Sequence, residues 1–557
     1  MDRSAQAEAV LERIANFAIE LTQGTPVPGG SVRVVDRNGL VGEFAFGYAD
    51  VIAQTPARLD HRYEIGSISK TFTSLLIYAL VDDKLIDLDE PVTTYLPWFV
   101  GGEPDAPMTA RHLLSHTAGL ILGSDHIPDE LAQVWGMRNL ARSGALGERF
   151  HYSNLGFMTL GAIVEAVTGD TVASQLRRRV FEPMGISDAR VGVTHVDHAT
   201  MATGHWPLHD DRPWTENDPL AHATWFEVAC ADGNVAANIH ELSELARLML
   251  GDGTLDSRRI VTQSAMNEIV APNAPTGEGT VEWGNSPKVD SSRYGLGVNV
   301  EFIDGNHCVT HGGGMVGYAT FMLADRTSGI GVAVLTNGNG DYPAAQLVAR
   351  VTHQQFVAEL SGRSVPALPP TSARLLVSEI SEQHLGDFHG VAHDGTRLSL
   401  TISSLDGIVH VECKGQRAPV YRTWTARFAT SHPDLRRFHL QIVDDYWTFG
   451  PYALRRSERP VVELTSVQQA LVGHYRCYSP WYTNFRIIAR EGQLYLVAPG
   501  GVESQTEDCL LIELNDGEFR IGQDPWMPER LLVGPIVGGR AISVIRDGCL
   551  YSRSFTQ

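Results

Sequence analysis

The sequence predicts an α+β domain followed by two small antiparallel β-barrels. In the first part of the chain, strand patterns stand before and after a long helical region, so strands from both ends can share one sheet. A proline-rich stretch follows, and beyond it short alternating strands recur in two similar cycles with little helix. We therefore expect a first domain at residues 1–360, a linker at 361–370, a first barrel at 371–459 and a second barrel at 460–557.

The first domain is predicted to begin with an amphipathic helix, whose apolar residues recur from Val10 to Leu21. Asn38-Gly39 separates the first two strand patterns and is typical of a tight hairpin. Further strand patterns and a last helix follow Tyr294. This order predicts one antiparallel sheet, with the helical region between its N-terminal and C-terminal strands.

A helix predicted over residues 67–81 carries a serine and a lysine that can act together. Ser67 and Lys70 stand three positions apart, so their side chains share one face of the helix. Burial disfavours the charged form of a lysine, and a neutral amine beside a serine hydroxyl is a general base beside a nucleophile. The alternative is a helix cap at Ser67, with Lys70 extending to solvent. Lysine is rare in this chain, and Lys70 alone has a serine three residues before it, which favours catalysis.

Two other stretches offer groups that chemistry at an acyl carbon needs. Tyr152-Ser153-Asn154 precedes a helix predicted at 155–167, so a phenol and an amide can point into a cleft. His311-Gly312-Gly313-Gly314 ends a strand, and a substrate backbone can lie beside its glycines. The patterns Y-x-N and H-x-G recur at 482–484 and 384–386, but there they neither precede a helix nor end a glycine-rich strand. We interpret those two copies as structural.

The patterns S-x-x-K, Y-x-N and H-x-G together resemble the three motifs of the penicillin-recognising serine hydrolases. This superfamily comprises class C β-lactamases, DD-peptidases, D-stereospecific aminopeptidases and related esterases. The similarity extends over about residues 10–355 and includes Arg111 through Leu120 and Phe181 through Gly185. One β-lactamase-like catalytic domain followed by two lipocalin-like barrels is similar to the D-aminopeptidase branch.

The resemblance implies a serine hydrolase that forms an acyl-enzyme at Ser67. Lys70, helped by Tyr152, would take the serine proton, and Tyr152 would return a proton to the leaving group. The backbone N–H groups of Ser67 and Gly314 would form the oxyanion hole. The substrate-binding residues that the resemblance implies in this domain are Asn154, His311, Gly313 and Gly314.

His311 departs from the pattern of the β-lactamases and DD-peptidases, which usually carry a lysine there that holds the substrate carboxylate. A mostly neutral imidazole holds a carboxylate poorly. We therefore expect a D-stereospecific aminopeptidase or amidase that acts on small peptides or amino-acid amides. The alternatives within the superfamily are an esterase, a β-lactamase or DD-peptidase, and a peptide-cyclising thioesterase. A catalytically inactive binding protein is an alternative of a different class.

A loop of the last barrel is the candidate for recognising a substrate amine. In the D-aminopeptidase branch a loop of the last barrel enters the cleft, and the stretch from Gly522 to Glu529 fits a loop of that kind. Two prolines stiffen it, Trp526 offers an apolar face, and Asp524 offers a carboxylate for an ammonium group. An exposed barrel turn is the other interpretation of the same stretch.

Composition limits the partners and the compartment that we expect. The formal charge of −21, from 44 basic and 65 acidic residues, argues against binding nucleic acid or an anionic membrane surface. The sequence shows no signal-peptide pattern, no membrane-spanning apolar run and no C-x-x-C pair among its six cysteines. These features favour a cytoplasmic protein that binds a small molecule or short peptide, and they leave open whether it forms a homodimer.

A histidine-rich stretch at 195–222 indicates a rival enzyme class, a metallohydrolase. Pro207 and Pro213 interrupt this stretch, and the sequence contains no H-E-x-x-H pattern, so the ligands would not sit on one rigid element. We interpret the stretch as a surface loop. The expected serine hydrolase needs neither a metal nor another cofactor.

Overall fold

An eight-stranded antiparallel sheet organises the N-terminal part of the chain in the computed structural model. The structure describes residues 3–99, 102–103, 106–123, 129–140, 142, 144, 146–225, 227–280, 283–339, 343–423, 425, 427–502 and 507–554. The strands of this sheet are β1 (Gly29–Asp36), β2 (Gly39–Asp50), β3 (Thr55–Pro56), β4 (Val289–Tyr294), β5 (Asn299–Ile303), β6 (Asn306–Met315), β7 (Tyr318–Asp325) and β8 (Ile330–Thr336). Their spatial order is β4-β5-β6-β7-β8-β1-β2-β3, with β1 antiparallel to β8. Strands from both ends of the domain therefore share one sheet, which confirms the predicted fold class.

Helices cover this sheet and fill the region between β3 and β4. The helices are α1 (Arg3–Gln23), α2 (Ser69–Asp82), α3 (Val92–Tyr95), α4 (Ala110–Leu114), α5 (Glu130–Met137), α6 (Asn154–Thr168), α7 (Val172–Leu176), α8 (Glu182–Met184), α9 (His195–His198), α10 (Ile239–Met249), α11 (Gln263–Ile269) and α12 (Ala344–Leu360). A further helix, α13 (Ser466–Leu471), stands before the strands of the last barrel. α1 and α12 pack on each other and on the sheet, and α10 packs on β1, β7 and β8. α2 is buried over most of its length, as expected of a helix that is mostly apolar. A 3₁₀ turn at Gly66–Ile68 precedes α2, so Ser67 lies on that turn and not on the α-helix itself.

Short paired strands hold the loops around α2. Tyr63–Glu64 and Arg190–Val191 both pair with Val235–Ala237, which brings the loop before that last strand to the start of α2. Two-stranded hairpins elsewhere join Gly102–Glu103 to Ala106–Pro107, His205–Pro207 to Leu220–His222, Thr254–Leu255 to Arg258–Arg259 and Ile536–Val537 to Arg540–Ala541.

The C-terminal part consists of two antiparallel eight-stranded structures, each with its own apolar core. The first contains β9 (Gly386–Val391), β10 (Arg397–Leu405), β11 (Ile408–Cys413), β12 (Gln416–Arg422), β13 (Arg427–Thr430), β14 (Leu440–Val443), β15 (Tyr446–Phe449) and β16 (Tyr452–Leu454). A bridge between His389 and Arg455 joins its first strand to the end of its last. The second is a closed barrel of β17 (Gly473–Arg476), β18 (Asn484–Arg490), β19 (Gln493–Val497), β20 (Cys509–Asn515), β21 (Glu518–Ile521), β22 (Arg530–Val533), β23 (Ser543–Arg546) and β24 (Cys549–Arg553). The prediction of two antiparallel β-barrels is confirmed.

The chain separates into two compact units. One contains Met1–Trp206 and Ala221–Thr371, and the other contains Pro207–Leu220 and Ser372–Gln557. The segment 207–220 therefore belongs with the barrels, although its sequence suggested a surface loop of the first domain. In the described part of the chain, no single helix is both long enough and apolar enough to cross a membrane. One pair of helices with a sharp bend between them meets both conditions only when the two are taken together.

Candidate active site

Ser67 lies on the turn that leads into α2, where the chain passes very close to β6. Gly66 has a φ of 55°, in the left-handed region that glycine adopts at little cost. A Cβ on Gly66 would lie 2.7 Å from the amide nitrogen and from the carbonyl oxygen of Gly314. Glycine is therefore required both by the turn and by the approach to β6. Backbone N–H groups at a helix start lack intrahelical partners, so this turn can stabilise negative charge.

Lys70 is fully buried and lies against three oxygen atoms. Its Nζ is 3.0 Å from Ser67 Oγ, 2.7 Å from Asn154 Oδ1 and 2.7 Å from the carbonyl oxygen of Asp232. The amide and backbone oxygens can only accept. A neutral amine has two N–H donors and one lone pair, so it can donate to both and still accept the hydroxyl proton of Ser67. This arrangement suits a general base, and it excludes the alternative in which Lys70 extends to solvent.

The loop that carries Tyr152 and Asn154 is held by His116. The N–H of Ser153 donates to His116 Nδ1 at 3.0 Å, and the Ser153 hydroxyl accepts from the third residue of α6 as a cap. The His116 ring packs on the Tyr152 ring with centroids 4.2 Å apart, and the Tyr152 centroid is 5.0 Å from Lys70 Nζ. The structure thus brings Lys70, Tyr152 and Asn154 together around Ser67.

A second loop supplies a carbonyl group to Lys70 and is fastened to α2. Thr73 donates its hydroxyl to the carbonyl oxygen of Ala231 at 2.6 Å, and Glu130 Oε1 accepts from the N–H of Ala231 at 2.8 Å. The Asp232 side chain is buried beside Lys70, and burial raises the pKa of its carboxyl while the lysine opposes that rise. The loop therefore adds a carboxyl group as well as an acceptor to the surroundings of the base.

β6 presents one open edge beside Ser67. Its pairing with β5 stops at Thr310, opposite Asn299, and among the described strands His311–Met315 pairs with β7 only. A substrate backbone can therefore pair with this edge as an added strand. A Cβ on Gly313 would lie 1.8 Å from the carbonyl oxygen of Ile65, so glycine is required where β6 packs against the turn before Ser67.

His311 is buried, and both of its ring nitrogens have partners. Nε2 is 2.7 Å from the hydroxyl of Tyr294, and Nδ1 is 2.7 Å from the carbonyl oxygen of Gly312. Because a carbonyl only accepts, Nδ1 carries the proton and Nε2 accepts from Tyr294. Burial lowers the pKa of His311 to about 3, although the hydrogen bond to the Gly312 carbonyl acts in the opposite direction. The ring is therefore neutral near pH 7 and offers no cation for a substrate carboxylate.

Glu278 brings a carboxyl group to the same end of β6, from a loop without any recognised motif. Its N–H donates to Asn299 Oδ1 at 3.1 Å, and Asn299 Nδ2 donates to its carboxyl group. Asn299 pairs with Thr310, the residue before His311. Burial raises the pKa of Glu278 to about 7, although the hydrogen bond from Asn299 acts in the opposite direction. The fold therefore places an ionisable carboxyl group beside the residue pair at which the pairing of β5 with β6 ends.

The other residues singled out in the sequence lie in the second unit. Asp524 is exposed on a turn between β21 and β22, where its carbonyl oxygen accepts from Met527 at 3.1 Å, and its role toward a substrate amine stays a prediction. Tyr482 belongs to the core of the last barrel, and Asn484 begins β18. His384 accepts from Trp447 through its carbonyl oxygen. The second copies of the Y-x-N and H-x-G patterns therefore form part of the packing and pairing of the barrels.

Three groups of described side chains have the composition of a metal site. They are Asp50 with His205 and His222, Cys308 with Asp325 and His353, and Glu130 with Cys230 and Asp232. The last two groups are fully buried, whereas the first is open to solvent at two of its three residues. None of the three includes Ser67 or Lys70, although the third lies on the loop whose Asp232 carbonyl accepts from Lys70.

The site is also shaped by His116, Asp232 and Tyr294, which had no predicted catalytic role. His116 lay within a stretch of family resemblance, and its φ of 54° is unusual for a residue with a side chain. Burial lowers its pKa well below the usual value, so it supports the Tyr152 loop as a neutral ring. Asp232 and Tyr294 stand in stretches without a motif, and the fold alone brings them to the site.

The comparison with known families agrees with this geometry. The beta-lactamase family model matches residues 14–355, which include Ser67, Lys70 and His311. Penicillin-binding protein 4* of Bacillus subtilis (strain 168) is 23% identical over 428 residues, covering 72% of this chain and 87% of that protein. Esterase EstB of Burkholderia gladioli is 32% identical over 232 residues, covering 37% of this chain and 56% of that protein.

Two solved structures share the fold. The octameric penicillin-binding protein homologue from Pyrococcus abyssi superposes with a TM-score of 0.56 at 23% identity, covering 82% of this chain and 100% of that one. D-amino acid amidase from Ochrobactrum anthropi SV3, complexed with L-phenylalanine amide, has a TM-score of 0.51 at 22% identity, covering 63% of this chain and 99% of that one. The family model, together with Ser67 and Lys70 in hydrogen-bond contact, leads to one conclusion: the chain belongs to the beta-lactamase family and is a serine hydrolase.

Proposed function

We propose that this serine hydrolase is a D-stereospecific aminopeptidase or amidase, which cleaves amide bonds of amino-acid amides or short peptides. The observation that carries the hydrolytic part is the 3.0 Å contact between Lys70 Nζ and Ser67 Oγ. The preference for D residues rests on the resemblance to the D-aminopeptidase branch. The second candidate is an esterase, which the similarity to EstB favours.

The proposed reaction passes through an acyl-enzyme. Neutral Lys70 takes the hydroxyl proton as Ser67 Oγ bonds to the substrate carbonyl carbon. The charge that develops on the carbonyl oxygen is held by the backbone N–H groups of Ser67 and Gly314. The bond to the amine then breaks, and the amine leaves with a proton delivered through Tyr152. Water, deprotonated by the same base, releases the acid and restores the serine hydroxyl.

Because His311 carries no positive charge near pH 7, we favour substrates without a free carboxylate. Its ring is neutral near pH 7, and its two nitrogens are already bonded to Tyr294 and Gly312. A charge-assisted hydrogen bond to a carboxylate is about twice as strong as a neutral one, and this site cannot supply it from His311. Amides and esters are therefore better candidates than penicillins or D-Ala-D-Ala peptides.

Glu278 favours the proposal that the substrate carries a free amino group. Asn299 holds its carboxyl group at the end of β5, beside the open edge of β6 on which a substrate backbone would lie. A carboxylate there offers an ammonium group a charge-assisted hydrogen bond. It lies in the catalytic unit itself, whereas Asp524 lies in the unit that holds the barrels.

Two experiments test this proposal. Mass spectrometry after exposure to a fluorophosphonate should find a single adduct on Ser67, and an active protein without that adduct would contradict the serine mechanism. The substrate class is then tested by measuring kcat/KM for D- and L-phenylalanine amide, a D-Ala-D-Ala peptide and an uncharged p-nitrophenyl ester. We expect the D amide to give a higher kcat/KM than the L amide and the D-Ala-D-Ala peptide. Turnover of the ester with none of the amides would favour the esterase.

A further inference from the structure

Two imidazoles and one carboxylate converge at the hairpin formed by His205–Pro207 and Leu220–His222. His222 Nε2 is 3.1 Å and His205 Nε2 is 3.8 Å from Asp50 Oδ1, and the ligand atoms of the three residues all lie within 4.8 Å of one another. Ligand atoms bonded tetrahedrally to Zn²⁺ at about 2.0–2.1 Å are about 3.3 Å apart. We propose that Asp50, His205 and His222 bind Zn²⁺ outside the catalytic centre, with water as the fourth ligand.

His205 has the tautomer that this role requires. Its Nε2 accepts from the N–H of Val51 at 3.3 Å, so the lone pair is on that nitrogen. On its other side the ring lies against Asn337, whose Nδ2 is 3.3 Å from Nδ1. Burial lowers the pKa of His205 and keeps the ring neutral. The ring therefore turns its unprotonated Nε2 toward Asp50, and a bound ion would take the place of the hydrogen bond from Val51.

Asp50 is oriented by the chain that follows it, and the site is open to solvent. Its Oδ1 accepts from the N–H groups of Ile52 and Ala53, both at 2.9 Å. These bonds and His222 hold the pKa of Asp50 below its usual value, although burial acts in the opposite direction. The His222 side chain is 48% exposed and that of Asp50 is 16% exposed, so an ion can enter without the protein unfolding.

A metal here would fasten the hairpin to the end of β2. The two histidines stand on either side of residues 207–220, the segment that groups with the barrels. The hairpin also packs against the turn that follows β6, because a Cβ on Gly317 would lie 2.8 Å from the Cα of Gly204. Bound Zn²⁺ would thus stabilise the hairpin and that turn without contacting Ser67.

Calorimetric titration of ZnCl₂ into the full-length protein, freed of metal by chelation and desalting, tests this site. We expect one Zn²⁺ per chain, with binding weakened at least about 100-fold by His222→Ala and by Asp50→Asn. Both positions are partly exposed and Asp50→Asn preserves the side-chain shape, so both variants should fold. His209→Ala is the matched control, because His209 is an exposed histidine of the same stretch outside the cluster.

Thermal unfolding gives a second readout. Zn²⁺ should raise the Tm of the wild-type protein and of His209→Ala, but not that of His222→Ala, because only a ligand that binds the folded state stabilises it. Equal affinity in wild type, His222→Ala and Asp50→Asn, or no saturable binding in the wild type, would overturn the proposal.

Discussion

At the scale of single residues, the orientation of Lys70 is fixed by the Asn154 amide oxygen and the Asp232 carbonyl oxygen, which can only accept hydrogen bonds. Replacing either Lys70 or Ser67 should abolish the reaction, because a nucleophile and its base act as a unit. We expect Ser67→Ala to lower kcat at least about 10³-fold on any amide or ester, and Lys70→Ala to cost about as much. Steady-state kinetics with circular dichroism as a folding control measures this. Loss of turnover on adding a chelator, with Ser67→Ala still active, would instead identify a metallohydrolase.

The lowered pKa of His311 allows us to predict how the stability of the fold changes with pH. Burial lowers its pKa from 6.5 to about 3, so the unfolded chain binds the proton more readily than the folded one between these values. The stability from the neutral ring is complete above about pH 6.5 and is lost as the pH falls toward 3. Urea unfolding should show lower stability at pH 5 than at pH 7.5, and a smaller difference for His311→Gln. The same difference in both proteins would contradict this origin.

Glu278 should matter only for substrates with a charged amine. Glu278→Gln keeps a partner for Asn299 but removes the negative charge, so we expect a higher KM for amino-acid amides and little change for their N-acetylated forms. Because burial raises the pKa of Glu278 to about 7, the wild-type KM for amine substrates should also rise as the pH falls below 7. Equal effects on acetylated and free substrates would mean that Glu278 only supports Asn299.

At the scale of elements, the contact between β6 and the Ser67 turn leaves no room for a side chain at Gly313. Gly313→Ala would place Cβ 1.8 Å from the carbonyl oxygen of Ile65, so the strand and the turn must separate. We expect a loss of about 1–3 kcal/mol of stability and a marked fall in kcat. Gly312→Ala is the control, since a Cβ there would meet Phe321 at an ordinary 3.7 Å. Similar kcat in the two variants would show that the contact does not position Ser67.

At the scale of the whole molecule, Asp524 tests whether the last barrel takes part in substrate recognition. It is exposed on a turn, with a carboxylate suited to an ammonium group. If its loop reads the substrate amine, Asp524→Ala should raise KM for substrates with a free N-terminal amine and leave uncharged esters nearly unchanged. Kinetics on matched amide and ester pairs measures this. The same change in both classes would assign amine recognition elsewhere, with Glu278 as the candidate.

The C-terminal barrels show how far local patterns predict a fold. Alternating side chains and frequent turns were enough to predict antiparallel barrels, because a strand with one buried face must alternate. The bridge between His389 and Arg455 was not predictable, since it joins residues far apart in sequence. The grouping of residues 207–220 with the barrels was missed for the same reason, because Asp210 bonds to Arg476 and Asp211 to Arg486.

The sequence by itself was enough to propose Ser67 as the nucleophile and Lys70 as its base. Ser67 and Lys70 are three residues apart, and the 3₁₀ turn that runs into α2 keeps their side chains on one face. Only the tertiary structure decided what surrounds them, because Asn154, Asp232 and Glu278 come from separate segments of the chain. The same holds for the cluster of Asp50, His205 and His222, because the sequence shows the two histidines in an apparent surface loop and Asp50 far from them. Contacts between distant residues follow from the packing of whole elements, which no local pattern encodes.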